Sequence, residues 1–146
     1  MTILNLIGMQ AIQVYEIKET DKVFDPVSED SDEQNFYYWC IANQELLKRA
    51  KSQSLQDMWV LYEYDRPGKN KFGGIFVEFG AADGVRDSNT YILEDEYEWT
   101  GILAEPAQYW HYRIDESRPD SVYITKLVSD ITGDIVSFSE TEDAVL

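Results

Sequence analysis

Basic residues are scarce in this chain: 12 Lys and Arg stand against 28 Asp and Glu among 146 residues, a formal net charge of −16. A field of that sign repels phosphate backbones and anionic lipid heads, so no nucleic-acid partner and no membrane-surface partner is expected. Cysteine is nearly missing. The single Cys40 allows no internal disulfide, and its neighbours Trp39 and Ile41 point to a buried structural thiol rather than a nucleophile. No basic residue precedes Lys18, so the apolar start over residues 1–17 lacks the charged flank of a secretory signal. No run approaches the roughly 18 apolar residues of a membrane span. The expected location is the cytoplasm.

What is present is enough for a packed core. Apolar residues make up 44% and aromatics 14% of the chain, which excludes global disorder. Four Trp and ten Tyr are many for this length and suit a surface as well as a core. Around Ile12 and Val14 the apolar residues alternate, as in a short strand or an extended arm. Residues 19–34 carry seven acids and one proline but lack the glycine and closing glutamate of a calcium loop. They read as a solvated loop, and no metal site is expected. A helix capped by Ser31 or Asp32 follows, with Phe36, Trp39, Cys40, Leu46, Leu47 and Ala50 on one face and Lys48, Arg49 and Lys51 toward its end. A second short helix is expected over residues 55–62, then a turn-rich connector over 65–70. Residues 1–70 thus form an N-terminal arm and helical extension, and residues 71–146 a second unit.

In that second unit the pattern changes. Residues 73–79 are a short apolar run opened by glycines, the mark of a buried parallel strand. A helix over 88–97, a strand over 100–105 stopped by Pro106, a helix over 107–116, a strand over 121–129 and a fourth strand over 134–139 complete the order β-α-β-α-β-β. The fold class is α/β, with a mainly parallel sheet.

The strongest local signal is Glu78-Phe-Gly-Ala-Ala-Asp-Gly84, where a hydrophobic strand runs into a glycine-rich turn. Gly80 permits a sharp turn and a close ligand approach, and Gly84 is expected to do the same at the helix entrance. Ala81 lies inside the same turn. In a doubly wound sheet this turn sits at the carboxyl end of the first strand, where ligands bind. The dinucleotide fingerprint is not met, because Ala82 stands where its second glycine belongs. Pyrophosphate is also a poor guest beside Glu78 and Asp83. A ligand with hydroxyls, an amine and a positive sulfonium suits them better. Glu105, 25 residues after Gly80, ends the next strand and can accept from both hydroxyls of a ribose. Asp130, just past the third expected strand, can accept from an adenine amine.

Residues 72–139 resemble the FkbM-type S-adenosylmethionine-dependent methyltransferases. The matching text is Phe76-Val-Glu-Phe-Gly-Ala-Ala-Asp-Gly84, Ser88-Asn-Thr90, Trp99-Thr-Gly-Ile-Leu-Ala-Glu-Pro106 and Leu127-Val-Ser-Asp130, with Gln56-Asp57 as a lead-in. The resemblance implies S-adenosylmethionine as cofactor and a truncated Rossmann-like sheet. It implies O-methyl transfer to a hydroxyl of a sugar or another small molecule. Gly80 and Gly84 would shape the cofactor loop, Glu78 or Asp83 would face the methionine end, Glu105 would hold the ribose and Asp130 would reach the adenine. Asn89 would place the amino-acid end or cap its helix. His111, in Tyr109-Trp-His-Tyr112, is the one histidine, and packing is favoured over service as a base. The later strands and acceptor-binding elements of the family have no match here, so a second copy or another chain is expected to supply them. The alternative is a noncatalytic interaction protein that reuses the cofactor-binding half of the fold.

Overall fold

The computed structural model describes residues 31–133 and 135–140. The arm over residues 1–17 and most of the acidic loop lie outside the described residues.

Helix α1 (Asp32–Ala42) starts at Ser31, whose hydroxyl accepts the Gln34 N–H at 3.3 Å, and Asp32 and Glu33 sit in its first turn beside the positive end of the dipole. The helix does not run on to residue 51. Asn43 leaves helical geometry (φ −112°, ψ 42°), its side-chain amide donates back to the Trp39 carbonyl at 2.8 Å, and a separate short helix α2 (Gln44–Leu47) follows. An asparagine that bonds its own backbone competes with the helical ladder. Helix α3 (Gln56–Tyr64) is anchored by Asp57, which is fully buried. Its carboxylate accepts from Lys51 N (2.8 Å), Ser52 Oγ (2.6 Å) and Met58 N (2.8 Å) and folds the connector back on itself.

Three strands, β1 (Ile75–Phe79), β2 (Thr100–Ala104) and β3 (Val122–Ile124), form an open parallel sheet in the order β1-β2-β3. The register runs from Ile75 opposite Thr100 to Phe79 opposite Ala104, and from Ile102 opposite Val122 to Ala104 opposite Ile124. Helix α4 (Tyr91–Tyr97) connects the first pair. A 3-10 turn (Gln108–Trp110) leading into helix α5 (His111–Ser117) connects the second. The fold is therefore α/β with a parallel sheet, as the apolar runs imply.

The boundaries differ from expectation in three places. The helix expected from residue 88 begins at Tyr91, because residues 88–90 form a hydrogen-bonded turn. Strand β3 stops at Ile124 rather than 129. Residues 135–140 form no strand, and their apolar side chains are exposed, Ile135 at 95%.

One core spans both parts of the chain. Trp39, Cys40, Met58, Leu61 and Tyr62 from the helical extension join Phe76, Ile92, Leu93, Trp99, Leu103 and Ile114 around the sheet. Both buried indoles find acceptors: Trp39 donates to Asp65 Oδ2 at 2.9 Å and Trp99 to the Lys71 carbonyl at 2.7 Å. Among the described residues, one face of the sheet takes part in this core. Phe76, Glu78 and Leu103 point into the core, whereas Ile75, Val77, Phe79, Ile102, Val122 and Ile124 lie on the opposite face and are exposed. That asymmetry yields a contrast in stability. Leu103→Ala is expected to cost about 2–5 kcal/mol, and Val77→Thr less than about 0.5 kcal/mol, read by chemical denaturation.

Candidate functional site

The carboxyl ends of β1 and β2 converge on the glycine turn. Gly80 leaves the strand at φ +70°, and its N–H donates to the Ala104 carbonyl at 2.8 Å, which joins the turn to the end of β2. A side chain built on Gly80 would meet nothing within 4 Å. The turn is open at that residue, as a ligand cradle requires. Ala82 is held in the left-handed region (φ +47°), where an L-residue is disfavoured. Its N–H donates to Glu105 Oε2 at 2.9 Å. Glu105 Oε1 accepts from Ala107 N at 2.8 Å, so this buried carboxylate links the glycine turn to the chain that follows β2. Gly84 (φ +80°) has a further reason to lack a side chain. It begins no helix, and a Cβ there would fall 2.8 Å from both Arg118 Cγ and Ser117 Oγ. Its bare backbone accommodates the end of α5.

The other acids of the motif are engaged by their own chain. Glu78 points to the buried side of β1. Its Oε1 accepts from Asn89 N (2.7 Å), and its Oε2 from Ser88 Oγ (2.9 Å) and Thr90 Oγ1 (2.5 Å). Asp83 Oδ1 accepts from Val85 N (3.0 Å) and Arg86 N (2.7 Å), an Asx-type turn beyond the glycine. The side chain that receives N–H groups at the start of α4 is the Ser88 hydroxyl, which accepts from Thr90 N (3.2 Å) and Tyr91 N (3.0 Å), whereas Asn89 contributes its backbone N–H to Glu78. Glu78, Gly80, Ala81, Asp83, Gly84, Asn89 and Glu105 thus share one continuous region. Asp130 is exposed on the segment after β3, and its described partner is the neighbouring Ser129 at 3.3 Å.

Sequence reasoning missed the residues that hold this region from behind. Arg118 is buried and donates to Glu94, Gly84 O, Ser88 and Thr90. Ser117 Oγ donates to the Asp83 carbonyl at 2.8 Å. Trp110 carries the guanidinium of Arg86 at 5.5 Å and that of Arg113 at 5.0 Å from its ring centre, across the same end of the sheet. Tyr123 donates to the Glu105 carbonyl oxygen at 3.2 Å. Burial, with the Glu105 and Asp115 carboxylates, pushes its phenol up to about 12, so it remains a donor at neutral pH. His111 packs edge-on against Tyr123 with ring centres 5.2 Å apart, and its Nε2 is buried with no hydrogen-bond partner among the described residues.

The described residues contain no group of three or more His, Cys, Asp or Glu placed to hold a metal, and no described helix is long and apolar enough to cross a membrane. No protein-family model, no curated protein and no solved structure matches this chain.

Two measurements follow from this geometry. Gly84→Ala is expected to destabilise by about 1–3 kcal/mol more than Gly80→Ala, because both strain a positive φ and only Gly84 also collides with α5. Thermal or denaturant midpoints of the two variants decide it. Burial, reinforced by Asp57, pushes the Cys40 thiol up to about 12 from 9.0. The folded protein at pH 8 is therefore expected to leave Cys40 unmodified by a disulfide reagent that titrates one thiol after denaturation.

Proposed function

We propose that the chain is the cofactor-binding half of an FkbM-type S-adenosylmethionine-dependent methyltransferase with a Rossmann-like sheet. It acts in the cytoplasm on a hydroxyl of a sugar or another small molecule, with the acceptor side completed by a partner chain or a second copy. The observation that carries this reading is Glu105 beside the open Gly80. An ionised carboxylate offers about four acceptor positions, and the two described bonds to Glu105 use one on each oxygen. The capacity left over fits two neighbouring hydroxyls of a ribose. The amine of the adenine falls to Asp130, and the cationic methionine end to the acidic turn at Asp83, with Glu78 held behind it by Ser88, Asn89 and Thr90.

When bound, the cofactor supplies a methyl group on a sulfonium. The residues of this chain bind and orient it. The Ala82–Glu105 bond fixes the turn, and Gly80 keeps the approach clear of a side chain. An acid-rich surface favours a cationic guest and disfavours a phosphorylated one.

The bare sheet face supports a second reading, a noncatalytic interaction protein. Six apolar side chains of the three strands have no covering layer among the described residues. Contiguous exposed apolar surface of that kind marks contact sites on other proteins.

Calorimetric titration with S-adenosylmethionine and S-adenosylhomocysteine, with light scattering for mass, separates the two. The expected outcome is binding by the wild-type chain and a loss of about tenfold or more for Glu105→Ala, since hydrogen bonds to a charged acceptor contribute roughly 1.5–3 kcal/mol each. Asp130→Ala, with one amine contact, is expected to lose less. A folded chain that self-associates and binds neither ligand would establish the interaction reading instead.

A further inference from the structure

We infer that Arg118, with Ser117 beside it, is the positioning residue of the glycine turn. This inference rests on reading that turn as the cofactor cradle. Arg118 is 2% exposed, and each nitrogen of its guanidinium has an acceptor. Nε and Nη2 donate to Glu94 Oε2 at 2.9 and 2.7 Å. Nη1 donates to the Gly84 carbonyl at 2.8 Å and to Ser88 Oγ at 3.3 Å, and Nη2 also to Thr90 Oγ1 at 3.0 Å. Ser121 adds a further donor to the same Glu94 oxygen. One side chain therefore ties together three separate segments: the glycine turn, the turn at 88–90 and helix α4.

A simple ion pair with Glu94 would need one edge of the guanidinium. The other edge is directed at the turn. The successive carbonyls of Asp83 and Gly84 are taken by Ser117 and Arg118, both at the end of α5. Holding two consecutive carbonyls on the α5 side fixes the peptide planes of the turn, while Ala82 N–H is held by Glu105 on the β2 side. The same guanidinium also sets the direction of two hydroxyls. A guanidinium only donates, so Ser88 and Thr90 accept from Arg118 and turn their own protons to Glu78. Glu78 is thereby pinned under β1.

A lysine at this position would keep a charge for Glu94 but not the planar fork that reaches Gly84 as well. Arg118→Lys thus separates positioning from stability. The other variants are Ser117→Ala, which touches only the Asp83 carbonyl, and Arg118→Met combined with Glu94→Gln, which leaves no unpaired carboxylate behind. Two readouts are needed. The first is amide hydrogen exchange at Ala82, Val85 and Arg86, compared with Leu103 and Ile114 in the core. The second is calorimetric affinity for S-adenosylhomocysteine. For Arg118→Lys and the double variant the expected result is exchange at least tenfold faster in the turn, core exchange unchanged, and affinity at least tenfold weaker. Ser117→Ala is expected to shift both readouts in the same direction by less. Unchanged exchange in the turn of a folded variant overturns the inference. So does equal acceleration of turn and core, which a purely structural role would give. If the Arg118 variants do not fold, Ser117→Ala decides by the same criteria. If the wild-type chain binds no ligand, the cofactor reading fails, and the exchange measurement still decides the positioning role.

Discussion

A single buried guanidinium holds the carboxyl end of the sheet together in a chain of net charge −16. Taking an ion out of water costs several kcal/mol even after relaxation, and the cost is offset only where geometry is good and the remaining donors are satisfied. Arg118 meets that condition through Glu94, two hydroxyls and a carbonyl. The rest of the region depends on it in sequence. Ser88 and Thr90 can serve Glu78 because Arg118 serves them, and Gly84 must lack a side chain because Arg118 and Ser117 occupy the space.

Two glycines of one motif do opposite things. Gly80 faces open space and Gly84 faces a packed helix end, although both have a positive φ. Sequence alone treats them alike, because the signal it carries is permissiveness and not direction. The acids divide in a similar way. Glu105 joins the glycine turn to the chain after β2 through Ala82 N–H and Ala107 N–H, while Glu78 is bound three times over on the core side of β1.

Much of the architecture was legible because it is local. The runs that became β1 and β2 are short, apolar and bounded by glycine or proline, and the face of Trp39, Cys40, Leu46 and Leu47 is buried as its spacing implies. Misreadings arose where a side chain redirects the backbone or where a pattern lacks a partner. Asn43 divides one expected helix into two by bonding to Trp39, and Ser88 delays α4 by three residues. The alternation over residues 135–140 forms no strand, and its apolar side chains Ile135, Val136 and Phe138 stay exposed. The glycine turn and Glu105 were visible as candidate groups. Arg118 was not, since its partners Glu94 and Gly84 lie 24 and 34 residues away in sequence, beyond the reach of any periodicity.

The parallel register has a consequence for how the chain acquires its fold. Ile75 pairs with Thr100 and Ile102 with Val122, so each ladder joins residues 25 or 20 positions apart in sequence. Closing a loop of that size loses chain entropy before any cross-strand bond repays it, and topologies built from non-local pairings fold slowly for that reason. Among the described residues the sheet has no hairpin, since both of its pairs are parallel. Each ladder is bridged by a crossover helix whose buried residues, Ile92 and Leu93 in α4 and Ile114 in α5, join Leu103 of β2 in the core. The end of α5 also holds the glycine turn through Ser117 and Arg118, so the segment that shapes the candidate site lies inside the second of these long loops.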